Sequence, residues 1–241
     1  MRFVTLLYAL ATTNSLLTGI RSMHSTALHA VSSEPQVFAV LPELVVFDLD
    51  QCLWSPEMYT LDEIPTKTLK GRLGERGEGV VGVYSGYETI RLFPGALEAL
   101  QEIWLGTYPG MRIAAASSAD TPRAVQIGRA AMGLLEVLPG VTVRQVFGRG
   151  WEGMGTGFEG NMQIGRTPPL SSDKAATHFP LLRAATGVAY PGMLFFDDCG
   201  WGDHCGKVEK GCEGVVAVRT PRGLGSQEWR RGLQTYAQRN S

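Results

Sequence analysis

A chain of 241 residues, 44% hydrophobic and 19% charged, can bury one sizeable core or at most two small ones, which sets aside disorder and fibrous folds. Its 22 basic and 23 acidic residues leave a formal charge of −1, so no overall basic field is available to hold nucleic acid, and a small or strongly localised ligand fits better. Four cysteines, Cys52, Cys199, Cys205 and Cys212, are too few for a disulfide scaffold and too unevenly spaced for a paired C-x-x-C zinc site, while thirty glycines call for several tight turns and at least one long loop.

Residues 1–33 form a different kind of sequence. They contain no Asp, Glu or Lys, two arginines (Arg2 and Arg21) and ten Ser or Thr. Phe3–Ala11 is apolar, but Thr12, Thr13, Asn14 and Ser15 dilute it too much for a stable membrane span. The composition predicts a removable targeting segment directing the chain to an organelle (plastid or mitochondrion) or to the secretory route; a disordered tail on a cytoplasmic protein is the plainer alternative.

From residue 43 to 241 short apolar runs alternate with helical stretches, the pattern of a parallel sheet with crossover helices in one α/β domain. Strands are predicted at Leu44–Phe47, Met111–Ala116, more weakly at Thr142–Phe147, and at Met193–Phe196 and Val215–Val218. Helices are predicted at Gly95–Trp104 after Pro94, from Thr121-Pro122 onward, and at Lys174–Ala185. Val80–Phe93, folded about Ser85-Gly86-Tyr87, reads as a β-hairpin flap spanning roughly 78–93. Between 148 and 165 seven of eighteen positions are glycine, a composition that resists regular structure and predicts an insertion reaching to about 170. A surface loop is the plainer reading of it, a gate over a substrate the sharper one.

The strand at 44–47 runs directly into Asp48-Leu49-Asp50. Alternation along an extended chain points Asp48 and Asp50 the same way, at the carboxyl edge where open α/β sheets bind ligands. A second pair, Asp197-Asp198, ends the strand at 193–196, and parallel neighbours would bring it to the same edge. Clustered carboxylates repel unless a cation intervenes, and a set of oxygen ligands suits Mg²⁺. Either pair alone could be a polar turn capping the next helix. Ser117, after Ala114-Ala115-Ala116, could hold a phosphoryl oxygen or simply cap a helix, and Lys174 could face an anion or solvent. Asp203-His204-Cys205 invites a zinc reading, although isolated Cys and His more often pack or face solvent.

Taken together, Val46-Phe47-Asp48-Leu49-Asp50-x-x-Leu53-Trp54, Leu92-Phe93-Pro94-Gly95, Ala114-Ala115-Ala116-Ser117, Lys174-x-x-x-His178-Phe179 and Phe195-Phe196-Asp197-Asp198 resemble, in order, the haloacid dehalogenase superfamily of phosphohydrolases, and more closely its magnesium-dependent phosphatases. The resemblance implies a Rossmann-like three-layer sandwich with a central parallel sheet. It implies Asp48 as nucleophile forming an aspartyl-phosphate and Asp50 as acid and base. Ser117, Ser118 and Lys174 would hold the phosphoryl oxygens, and Mg²⁺ would sit on Asp48, the Asp50 carbonyl and Asp197, with Asp198 close by. It further implies a monomer acting on a small phosphorylated substrate or a phosphorylated protein side chain, phosphotyrosine-like or a sugar phosphate. Two positions depart from the pattern: Cys52 stands where Thr is usual, and Ser118 where a basic residue is common. A non-catalytic Mg²⁺- and phosphate-binding module and a phosphotransferase acting on an acceptor other than water are the alternatives.

Overall fold

The computed structural model of the protein describes residues 38–155 and 157–241. The segment read above as a targeting signal lies outside the described residues. Among those described, no helix is long and apolar enough to cross a membrane.

The core strand β1 is Leu44–Phe47, all four residues fully buried. Such a run has no polar alternation because both faces of the sheet are covered. Val45 and Phe47 pack into one hydrophobic cluster, Leu44 and Val46 into another on the opposite face. After β1 the chain leaves the sheet to build an antiparallel unit from β2 (Trp54–Ser55), β3 (Lys67–Arg72), β4 (Glu78–Ser85) and β5 (Glu88–Leu92), in the order β2-β5-β4-β3. The predicted hairpin is β4 and β5, with Ser85 opposite Glu88 and Gly86 at the turn in the left-handed region at φ 60°. It is part of a larger sheet because the charged stretch Lys67–Arg72 adds an outer strand that apolar periodicity does not reveal.

The chain then alternates between helix and strand: α1 (Pro94–Trp104), β6 (Arg112–Ser117), α2 (Pro122–Leu134), a small ribbon of β7 (Glu136–Leu138) and β8 (Val141–Thr142), and α3 (Val143–Gly148). It closes with β9 (Met162–Ile164), α4 (His178–Thr186), β10 (Met193–Asp197), α5 (His204–Gly211), β11 (Val216–Arg219) and α6 (Ser226–Arg239). The central sheet is parallel throughout, in the order β11-β10-β1-β6-β9. Side chains of α1, α2, α3 and α6 cover one face and those of α4 and α5 the other, giving three layers.

Two expectations are corrected. Thr142–Phe147 is not a sheet strand but the start of α3: the Thr142 side chain accepts from the Gln145 N–H at 3.3 Å while the Gln145 side chain accepts from the Thr142 N–H at 2.7 Å. That reciprocal cap nucleates a helix, and Val143, Val146 and Phe147 then share its buried face. The edge of the sheet falls instead to β9, at the end of the glycine-rich stretch, where Met162 pairs with Ala115. That stretch is also anchored. Trp151 is buried, packs against Phe158 with ring centroids 5.5 Å apart, and lies under the Arg112 guanidinium at 4.4 Å.

Candidate active site

Register alone places the acids. Phe47 pairs with Phe196 on one side and with Ala115 on the other, so Asp48, Asp197 and Ser117 all emerge at the carboxyl edge of three adjacent strands. The chain moves from β1 to β6 on one side and later crosses to β10 on the other, which opens a crevice at this edge. A pocket of about 190 Å³ occupies it, lined by Asp48, Asp50, Ser117, Ser118, Lys174 and Asp198 from the expected set.

Lys174 is the electrostatic centre. It is only 2% exposed, and its Nζ lies 2.8 Å from Asp48 Oδ1 and 2.6 Å from Asp197 Oδ2. The predicted helix over Lys174–Ala185 begins only at His178, so Lys174 sits in the preceding turn, with its carbonyl accepting from the Phe179 N–H. Burial by itself would drive the ammonium to give up its proton, but the two carboxylates outweigh it and raise its pKa.

Asp48, Asp197 and Asp198 each offer an oxygen within 4.8 Å of the others. Burial pushes the Asp48 carboxyl well above the ordinary carboxylate range, with Lys174 opposing and Asp197 adding to the rise. Burial would raise Asp197 as well, but Lys174 and the Cys199 N–H, which donates at 2.7 Å, hold it below its usual value. Partial burial and the neighbouring Asp197 push Asp198 up to about 6. Three oxygen donors gathered in a partly dry crevice with only one ammonium among them fit a hard divalent cation such as Mg²⁺.

Asp50 stands apart from this cluster. Its carboxylate accepts from the Trp54 indole Nε1 at 2.9 Å and from the Met58 N–H at 3.1 Å. Burial outweighs both bonds and lifts the carboxyl to about 7. The two acids of Asp48-Leu49-Asp50 thus line the same pocket in different environments, Asp48 against the lysine and Asp50 held by the Trp54 indole and the Met58 N–H.

Ser117 is buried at the end of β6, and its carbonyl accepts from His178 Nε2 at 3.1 Å. A carbonyl can only accept, so neutral His178 carries its proton on Nε2, leaving Nδ1 to face the Thr177 hydroxyl at 3.1 Å. Burial, and then Lys174, depress His178 to about 4. Ser118 Oγ is buried with no hydrogen-bond partner among the described residues, which suits a site awaiting an anion's oxygens.

Sequence reasoning missed Glu57, Tyr59, Arg166 and Trp201, and singled out His204 only as part of a possible zinc cluster; all five also line the pocket. Glu57, Arg166 and Trp201 sit on loops, Tyr59 in a short 3-10 turn over Met58–Thr60 and His204 at a helix start, and no spacing rule connects them. The zinc reading is not supported among the described residues: Asp203 accepts from the Gly206 N–H at 2.8 Å as the N-cap of α5 and pairs with Arg219 at 2.7 Å. No described residue between 148 and 165 lines the pocket, which favours the surface-loop reading of that stretch.

Residues 40–239 match the sequence model of a family described as acid phosphatase. The chain belongs to the acid phosphatase family. It is 26% identical over 199 residues to magnesium-dependent phosphatase 1 of Homo sapiens, covering 83% of this chain and 89% of that protein. Among solved structures it matches the N-terminal, phosphatase-containing part of a Bacteroides fragilis protein complexed with Mg, at 15% identity and a TM-score of 0.41, over 80% of this chain and 40% of that one. An acid phosphatase is a hydrolase acting on phosphorylated substrates.

Proposed function

We propose that this acid phosphatase is a Mg²⁺-dependent phosphomonoesterase that works through a phosphoaspartate on Asp48. The observation that carries the reading is the meeting of Asp48, Asp197 and Asp198 within 4.8 Å around a buried lysine. The name of the human relative, a magnesium-dependent phosphatase, supports the choice of ion. Asp48, Asp197 and Asp198 are the side chains that would hold it. Bound there, Mg²⁺ supplies positive charge that offsets repulsion between an anionic nucleophile and an anionic phosphate.

The chain's own residues then divide the work. A carboxylate oxygen of Asp48 attacks phosphorus, a P–O bond to Asp48 forms, and the ester P–O bond breaks. Asp50, holding a proton near neutral pH, passes it to the departing alkoxide. Water next attacks the phosphoaspartate, Asp50 takes the proton it releases, and the Asp48 carboxylate is regenerated with inorganic phosphate as product. Lys174 keeps Asp48 oriented and offsets charge, while Ser117 and Ser118 offer hydroxyl donors to phosphoryl oxygens. His178 fixes the Ser117 backbone from beneath.

The test is release of phosphate from an aryl phosphate, with and without Mg²⁺, by the wild type and by Asp48→Asn. The near-isosteric variant is expected to lose turnover while keeping the wild-type circular dichroism spectrum, and the wild type to need the metal. A turning-over Asp48→Asn protein would remove Asp48 as nucleophile. Mg²⁺ binding by the wild type with no hydrolysis across a panel of phosphates would favour the non-catalytic module.

A further inference from the structure

The pocket at Asp48 encloses about 190 Å³, less than the roughly 300–1,000 Å³ of sites that engulf a whole drug-sized ligand. A phosphoryl group and the first atoms of its alcohol fill that space. The rest of the alcohol meets the mouth.

Glu57, Tyr59 and Trp201 are among the side chains lining the pocket that take no part in the phosphoryl chemistry. Tyr59 and Trp201 are 47% and 69% exposed, so neither serves the core. They approach edge to face with centroids 5.9 Å apart and planes at 77°. The Trp201 indole Nε1 donates to Glu57 Oε1 at 3.1 Å, which fixes the carboxylate at the same corner as the rings. No ion pair among the described residues neutralises Glu57. The pocket lining as a whole carries five carboxylates against Lys174 and Arg166, and Lys174 is already committed to Asp48 and Asp197.

A corner that joins a carboxylate to the negative ring faces of Tyr59 and Trp201 attracts a cation. A neutral aromatic alcohol would gain stacking there but would cover an uncompensated carboxylate, and an anionic one would be repelled. We propose that Glu57, Tyr59 and Trp201 form a seat for a cationic group, a primary or quaternary ammonium, carried by the leaving alcohol a short chain away from the phosphate. The favoured substrate is then a zwitterionic phosphomonoester, with its anionic end at Asp48 and its cationic end at the mouth. This rests on the phosphatase reading above and names the substrate class of that site.

The test compares kcat/KM for phosphocholine, for its uncharged carbon isostere with a tert-butyl group in place of trimethylammonium, and for phenyl phosphate, all in Mg²⁺ with the full chain. The wild type is expected to favour phosphocholine over the isostere by about tenfold. The preference should shrink to within about twofold in Glu57→Gln, which keeps an acceptor for the indole but loses the charge, and in Trp201→Leu. Thermal unfolding of each variant checks the fold, and Glu57→Gln carries the comparison where Trp201→Leu disturbs its loop. Equal rates on phosphocholine and its uncharged isostere overturn the seat and leave the phosphatase standing. Turnover of none of the three esters, with no binding of their phosphonate analogues by calorimetry, overturns the phosphatase reading and the seat with it.

Discussion

Replacing Lys174 by methionine keeps most of the side chain's volume and deletes its charge. Its ammonium is the one cation bonded to both Asp48 and Asp197 among the described residues. Asp197 is completely buried and Asp48 nearly so, and the variant leaves two like charges facing each other in a dry crevice. Breaking a buried ion pair from one side costs about 3–5 kcal/mol, which at about 2–4 °C per kcal/mol for a domain of this size lowers the unfolding midpoint by about 6–20 °C. The effect carries a pH signature. Burial already raises the folded-state pKa of Asp48, and without Lys174 the opposing pull is gone while Asp197 still pushes upward. A carboxyl whose pKa is higher folded than unfolded weakens folding fully above the folded value and not at all below the unfolded one. The deficit of Lys174→Met is therefore expected to be largest at neutral and alkaline pH and to close as the pH falls into the ordinary carboxylate range. Mg²⁺, by binding only the folded acids, should restore part of it. Urea unfolding of wild type and variant in chelator and in excess Mg²⁺, at a series of pH values, measures all three effects. Equal stability of the two proteins at neutral pH in chelator would refute the assignment of Lys174 as the compensating charge.

The proton held by Asp50 near pH 7 predicts that kcat for an alkyl phosphate falls as pH rises through about 7, whereas an ester with an acidic phenol as leaving group, needing no proton, is much less affected; Asp50→Asn should cost the alkyl ester about 10²–10⁴-fold, read from initial rates. His178, neutral and held near pKa 4, predicts that folding loses stability as pH drops from about 6.5 toward 4, on the order of 3 kcal/mol in all. His178→Asn, compared with wild type by chemical unfolding across that window, should flatten the slope, and an unchanged slope would place the titrating group elsewhere. Gly95→Ala should destabilise by at least about 1–3 kcal/mol in thermal melts, because a Cβ there would lie 2.3 Å from the backbone carbon of Gly225, which has no side chain to swing away.

Several features were readable from the chain alone for definite physical reasons. A strand buried on both faces leaves an uninterrupted apolar run, so β1, β6, β10 and β11 announced themselves, and acids placed directly after such runs marked the carboxyl edge. Glycine 95 and the paired acids at 197–198 belong to the same local grammar. The T-x-x-Q cap of α3 is also legible in the sequence, and its reciprocal hydrogen bonds outweigh the apolar content that favours a strand at 142–147. The three-residue β9 was too short, and too close to a glycine-rich run, for periodicity to find.

Composition and local pattern by themselves determined the α/β class, the order of the main elements and the clustering of Asp48, Asp50 and Asp197 at strand ends, since each depends on neighbours within a few positions, while the roles of Ser117 and Lys174 came only from the family resemblance. Only tertiary structure decided that one lysine would be clasped by two of those acids, that Asp50 would be set apart with a carboxyl near 7, and that Glu57 and Trp201, 144 positions apart, would meet at the mouth. Burial, charge separation and long-range contact arise from how strands stack and where loops land, and none of these quantities is carried by any short stretch of chain.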